Sequence, residues 1–104
     1  MDIRMVREKG RIVLEITGRI DAISASDFQE QSLAALNDCE QMLLLDCSAV
    51  EYVSSAGLRS FLVIAKMAAA RNISVVLCNL QNIVREVFEI SGFDSFFEVR
   101  HGCD

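Results

Sequence analysis

Met42-Leu43-Leu44-Leu45 is an unbroken apolar run that closes on Asp46. It lacks the alternation of a half-exposed strand, so it suits a strand covered on both faces, as in a parallel sheet between helices. Parallel strands need long crossovers, and the residues on either side of the run have to supply them. This requirement restricts the fold more than any other feature of the chain.

Residues 2–8 and 11–17 flank Lys9-Gly10, and Ile3, Met5, Ile12, Leu14 and Ile16 alternate, which predicts a hairpin with one buried face. Gly18-Arg19-Ile20-Asp21 breaks that pattern. Ser26-Asp27-Phe28-Gln29 has capping-box spacing, so a first helix is expected to begin near Ser24 to Ser26 and run to about Asn37. After the buried strand, Gln41 to Cys47, the residues from Cys47 to Ser54 read as a loop into a helix, Ala56 to Ala70. Leu58, Phe61, Leu62, Ala65, Ala68 and Ala69 form the apolar stripe of that helix. Ile73 to Cys78 is a second buried strand, and Gln81 to Ile90 a third helix with Ile83, Val84, Val87 and Phe88 on one side. Gly92 stands where a left-handed C-cap falls. Phe96 to Val99 is predicted as an edge strand, and Arg100 to Asp104 as a polar, frayed tail with His101 exposed. The expected fold is an α/β sandwich with right-handed crossovers and a mixed sheet of four to five strands, a single domain spanning residues 1–104.

A chain of 104 residues buries a real core but has little room for a deep, enclosed active site. Its net charge of -5 repels phosphodiesters and anionic lipid headgroups, which argues against nucleic acid as a partner. Its apolar runs fall far short of the roughly 20 residues of a membrane span, so no membrane insertion is expected. The start, MDIRMVREKG, has no signal-peptide core, so the expected compartment is the cytoplasm. Cys39, Cys47, Cys78 and Cys103 include no C-x-x-C pair, and His101 is the one histidine. No metal or cofactor is expected, and the cysteines read as buried or half-buried thiols.

The chemistry is expected in Asp46-Cys47-Ser48-Ala49-Val50-Glu51-Tyr52-Val53-Ser54-Ser55-Ala56-Gly57-Leu58-Arg59, which joins a buried strand to a helix. In open α/β sheets, ligands and reactive groups collect at the carboxyl ends of strands. A serine pair before a helix needs no function, because serine is a preferred N-cap. Gly57 in the first helical turn costs up to about 1 kcal/mol against alanine, which invites a reason such as close approach by another molecule. Neither serine has a histidine base within sequence reach, and no G-x-x-x-x-G-K-S/T or G-x-S-x-G motif occurs. The chain is not expected to be an enzyme.

This segment resembles the STAS domains, and within them the anti-sigma factor antagonists, whose hallmark is Asp-Ser-Ser/Thr-Gly-Leu at the start of the second helix. Gly18-Arg19-Ile20-Asp21 is similar to the family's Gly-x-Leu/Ile-Asp turn, and Asp46 to its strand-ending aspartate. Aligning on Gly57 and Leu58 puts the family's phosphorylated serine at Ser55, with Ala56 in the second Ser/Thr position and Ser54 where many members have aspartate. Ser54 is the second candidate. The resemblance implies partner switching. The unphosphorylated form binds an anti-sigma factor or related serine kinase of the histidine-kinase-like ATPase fold and so releases that factor's client. The kinase uses ATP and magnesium to phosphorylate Ser55, which ends the binding, and a metal-dependent serine phosphatase restores it. It also implies that Asp21 lies near the acceptor and helps position it.

A phosphate on Ser55 adds about -1.5 to -2 charges at a helix N-terminus, which favours an anion, so it is expected to act on a docked partner rather than on the fold. The expected docking surface comprises Asp21, Ser54, Ser55, Ala56, Gly57, Leu58 and Arg59, continued along the helix by Val63, Lys66 and Met67. Val63, Ile64 and Met67 fit equally well as a widening of the buried face. Asp46 reads as a turn or cap residue. A monomer or weak dimer fits the chain. Two other classes stay open: a small-ligand or nucleotide module, or an accessory subunit of a transport or signalling assembly. A thiol or flavodoxin-like redox enzyme shares the fold type but would need motifs this sequence lacks.

Overall fold

The structure is a computed structural model and describes residues 1–103. The elements, in chain order, are β1 (Asp2–Glu8), β2 (Arg11–Ile20), α1 (Ala25–Asp38), β3 (Met42–Val53), α2 (Ser55–Ala70), β4 (Ser74–Cys78), α3 (Asn82–Ser91), a 3-10 turn (Phe93–Phe96) and β5 (Glu98–Arg100). The five strands form one sheet in the order β1-β2-β3-β4-β5. β1 runs antiparallel to β2, and the remaining neighbours are parallel, as the apolar run at β3 demands.

All three helices contribute to one core on one face of the sheet. From the sheet come Ile12, Leu14, Ile16, Leu43, Leu45, Val75 and Leu77, and from the helices Phe28, Leu36, Phe61, Ile64 and Phe88. Phe61 is the hub, with ring centroids 4.7 Å from Phe28, 5.1 Å from Phe88 and 6.2 Å from Phe97. The opposite face carries a narrow apolar strip, Val13, Leu44, Val76 and Cys78, edged by Val6, Met42 and Cys103. Leu44 is thus buried as its run predicts, but its cover is other side chains and the returning chain, not a second layer of helices.

Several boundaries differ from the sequence reading. β2 continues to Ile20 and β3 to Val53, so neither Gly18-Arg19-Ile20 nor the stretch after Cys47 is a loop. Register shifts between Glu15 and Thr17 and between Gly18 and Arg19 insert extra residues, so Cys47, Val50 and Val53 are buried at every third position. A search for period two does not see such a strand. Ser26 lies exposed within α1 and builds no capping box. Ser24 is the N-cap residue, and its hydroxyl serves the preceding turn by donating to the Arg19 carbonyl at 2.8 Å and accepting from the Asp21 amide at 3.0 Å. On α2 the buried stripe runs through Leu58, Phe61, Ile64 and Ala68, leaving Ala69 exposed. On α3, Val84 and Phe88 face inward while Ile83 is exposed.

Gly92 takes the left-handed C-cap at φ 73°. Beyond it, Phe93–Phe96 turns as a 3-10 segment that seats Phe97 against Phe61 and Phe88, and so the last strand begins at Glu98 rather than Phe96. Arg100 belongs to that strand. His101 is exposed, while Cys103 is half-buried against the apolar strip, so the end is less frayed than its polarity suggests. Asp104, part of the expected tail, lies outside the described residues.

Candidate functional site

β2 and β3 leave the sheet together. Ile20 pairs with Val53, and the Ser54 amide donates to the Ile20 carbonyl at 2.9 Å. Asp21 and Ser54 therefore emerge side by side, and α2 starts at that edge.

The helix start divides the two serines. Ser54 is the N-cap: its backbone is extended, its Oγ accepts the Gly57 amide at 3.1 Å, and its carbonyl accepts the Leu58 amide at 2.8 Å. Ser55 is the first helical residue and is exposed. In an α-helix the first amides have no carbonyl partner one turn back. Ser54 satisfies the amide of Gly57, which leaves those of Ser55 and Ala56 oriented toward any anion placed on Ser55. No acidic residue stands in the first turn of α2, and Arg59, one turn on, is exposed.

Gly57 and Leu58 belong to the interior. A Cβ at Gly57 would lie 2.7 Å from the Ile20 carbonyl oxygen and 3.0 Å from side-chain atoms of Ile20 and Val53. The close approach that requires glycine is therefore made by β2 and β3 of this same chain. Leu58 is only 8% exposed and packs in the core. These two residues set the position of α2; they do not present side chains to a partner, which corrects their expected place in the docking surface. Ala56 is half-buried.

Along α2, Val63 is 36% and Met67 40% exposed, with Lys66 exposed between them, while Ile64 is fully buried. Val63 and Met67 thus lie on the surface, and only Ile64 widens the core. Ser60, beside Arg59 in sequence, is buried, and its hydroxyl donates to the Ala25 carbonyl at 3.1 Å, joining α2 to the start of α1. Between these helices runs an open groove of about 490 Å³ whose walls include Ala22, Gln29 and Glu30 facing Ala56, Arg59 and Val63. The sequence reading missed the α1 side of this groove. It also missed Ile23, which is 91% exposed in the turn after Asp21. A large apolar residue between two turn formers was the available signal.

Asp21 stands at the site but is engaged locally. Its Oδ1 accepts the amides of Ile23 and Ser24, each at 3.0 Å. These bonds, that of Ser24 foremost, hold its carboxyl below the ordinary 3.8. Asp46 does not end a strand. It sits within β3, in register with Cys78, and accepts from the Ser48 amide at 3.1 Å and the Asn79 side chain at 3.4 Å. The strand from Asp46 to Val53 places it roughly 20 Å from Ser55. It is therefore a strand residue rather than the turn or cap residue expected, and its side chain serves the local backbone and Asn79. Among the described residues no group of His, Cys, Asp or Glu could hold a metal ion, and no helix is long and apolar enough to cross a membrane.

The family model of the STAS domain matches residues 2–102. The chain belongs to the STAS domain family. A candidate anti-sigma factor antagonist, BtrV of Bordetella bronchiseptica (strain RB50), is 36% identical over 95% of this chain and 85% of its own length, which places this STAS domain in the anti-sigma factor antagonist subgroup. Among solved structures, an anti-sigma factor antagonist from Mycobacterium paratuberculosis superimposes with a TM-score of 0.83 at 23% identity, covering 99% of this chain and 87% of that one. The anti-sigma factor antagonist SpoIIAA in its unphosphorylated form gives a TM-score of 0.79 at 16% identity, covering 94% and 87%. The phosphorylated form of SpoIIAA, a Bacillus cell fate determinant, gives 0.72 at 15%, covering 94% and 90%. The STAS fold expected from the Ser54 to Leu58 segment is the fold observed.

Proposed function

We propose that this chain is an anti-sigma factor antagonist that works by partner switching, with Ser55 as its phosphorylation site. The observation that carries the reading is the division of labour at the start of α2: Ser54 is held by the Gly57 amide, while Ser55 is exposed beside amides that have no helical acceptor. In the unphosphorylated state the surface formed by Asp21, Ser54, Ser55, Ala56 and Arg59, continued along α2 by Val63, Lys66 and Met67, docks on an anti-sigma factor. That factor is a serine kinase of the histidine-kinase-like ATPase fold, and docking frees its client.

The kinase transfers the γ-phosphoryl group of ATP, with magnesium, to the Ser55 hydroxyl. The product is anchored by the helix start and does not unfold the domain. It places a bulky dianion inside the contact, and a penalty of about 3 kcal/mol weakens binding more than a hundredfold. A metal-dependent serine phosphatase returns the chain to its binding form in the cytoplasm. SpoIIAA, which shares the fold, exists in both unphosphorylated and phosphorylated forms, and this supports the reading.

Mass spectrometry after incubation with the cognate kinase and ATP tests the assignment. One phosphate is expected on the peptide containing Ser55, and none on a Ser55→Ala protein. Phosphate that persists in Ser55→Ala, or that maps to Ser54 in the wild type, would overturn it.

A further inference from the structure

The cysteines divide between the two sides of the sheet. Cys47 is buried in the helix-side core, where its thiol donates to the Leu45 carbonyl at 3.5 Å. Cys39 packs against the same core and donates to the Met42 carbonyl at 3.5 Å. Cys78, the last residue of β4, belongs to the strip on the other face, with Val13, Leu44 and Val76. After β5 the chain turns through His101 and Gly102 and lays Cys103 on that strip. Cys103 is thus packed against the same small cluster that holds Cys78, which brings the two thiols to one side of the sheet. No disulfide links any of the cysteines in this structure.

We infer that Cys78 and Cys103 are a redox-responsive pair that closes to a disulfide when it meets a small-molecule disulfide such as oxidised glutathione. Cys103 is the more accessible of the two and reacts first. Its thiolate attacks one sulfur of the small disulfide, forming a mixed disulfide and expelling one glutathione thiolate, which takes up the proton that Cys103 gave. Cys78 then attacks the Cys103 sulfur, forming the Sγ–Sγ bond and expelling the second glutathione with the proton from Cys78. The protein pair loses two electrons and two protons, and the small disulfide is reduced to two thiols. Burial, together with the Cys103 neighbour, raises the Cys78 thiol above its ordinary range, so Cys78 is the slower nucleophile of the two, and its attack is favoured by its placement on the strip against which Cys103 packs rather than by thiolate abundance.

The bond would close a loop of about 25 residues that carries α3 and β5. β5 is three residues long and, among the described residues, its ladder partner is β4, so it is a short edge strand of the sheet. Closure fastens it and restricts the unfolded chain.

The experiment treats the folded, reduced full chain with oxidised glutathione and follows intact mass, peptide pairing and melting. The wild type is expected to lose two hydrogens, retain no glutathione, yield a Cys78–Cys103 linked peptide and melt about 10 °C higher until a reductant is added. Cys78→Ser is expected to stop at a glutathione adduct on Cys103. A wild type that keeps its adduct, pairs Cys39 or Cys47, stays fully reduced, or forms the bond with no rise in Tm would overturn the inference. The wild-type measurements decide it even if Cys78→Ser does not fold.

Discussion

Replacing Ser54 by alanine removes the acceptor of the Gly57 amide and should lower stability by about 1 kcal/mol, read as a shift in urea midpoint. The same change at Ser55 removes no such bond and should stay within about 0.5 kcal/mol of wild type while abolishing phosphorylation. Ser55→Asp puts a carboxylate in the first turn of α2, where the helix dipole favours it by about 0.3–1 kcal/mol. This variant should be at least as stable as wild type and still fail to bind the kinase, which separates binding from folding. Asp21 offers a pH test. Its folded carboxyl is held below the ordinary 3.8 by the Ser24 and Ile23 amides. Its contribution is therefore present above the unfolded value and lost as pH falls through the folded one. The Ile23 and Ser24 amide resonances should titrate together below 3.8 in the wild type and stay flat in Asp21→Asn. An Asp21 titration at or above that value would contradict the turn described.

For elements, the contact between α2 and the ends of β2 and β3 decides most. Gly57→Ala gains helix propensity of about 1 kcal/mol but drives a methyl group to 2.7 Å from the Ile20 carbonyl. Overpacking costs about 1–3 kcal/mol, so after that gain a net destabilisation of up to about 2 kcal/mol is expected from chemical denaturation, together with a displaced Ser55. The apolar run at Met42 announced a strand buried on both faces, and the stripe around Phe61 announced α2. The second half of β3 was hidden, because its bulges bury Cys47, Val50 and Val53 three apart in an otherwise polar stretch. The side chain expected to cap α1 was also misplaced, since the Asp21 turn and Ser24 organise that start while Ser26 faces solvent. At the site, Ser54 to Arg59 stood in one segment and was legible. The groove wall from α1 and the exposed Ile23 come from elsewhere in the chain, and spacing along one segment does not reveal them.

Across the whole molecule, the helix-side core supports the surface on which the proposed switch sits. Phe61 joins α1, α2, α3 and the turn before β5 through its ring contacts, so Phe61→Ala should cost about 3–5 kcal/mol and affect every element at once. The proposed phosphorylation would act at the other extreme: it would leave that core intact and move the net charge from -5 to about -6.5 or -7 at a single exposed point. The central claim is that this charge turns binding off. Titration calorimetry of the cognate anti-sigma factor kinase against the chain, before and after stoichiometric phosphorylation of Ser55, tests it most directly. The expected result is a Kd raised more than a hundredfold with an unchanged circular dichroism spectrum. Equal affinity of the two forms would contradict the account.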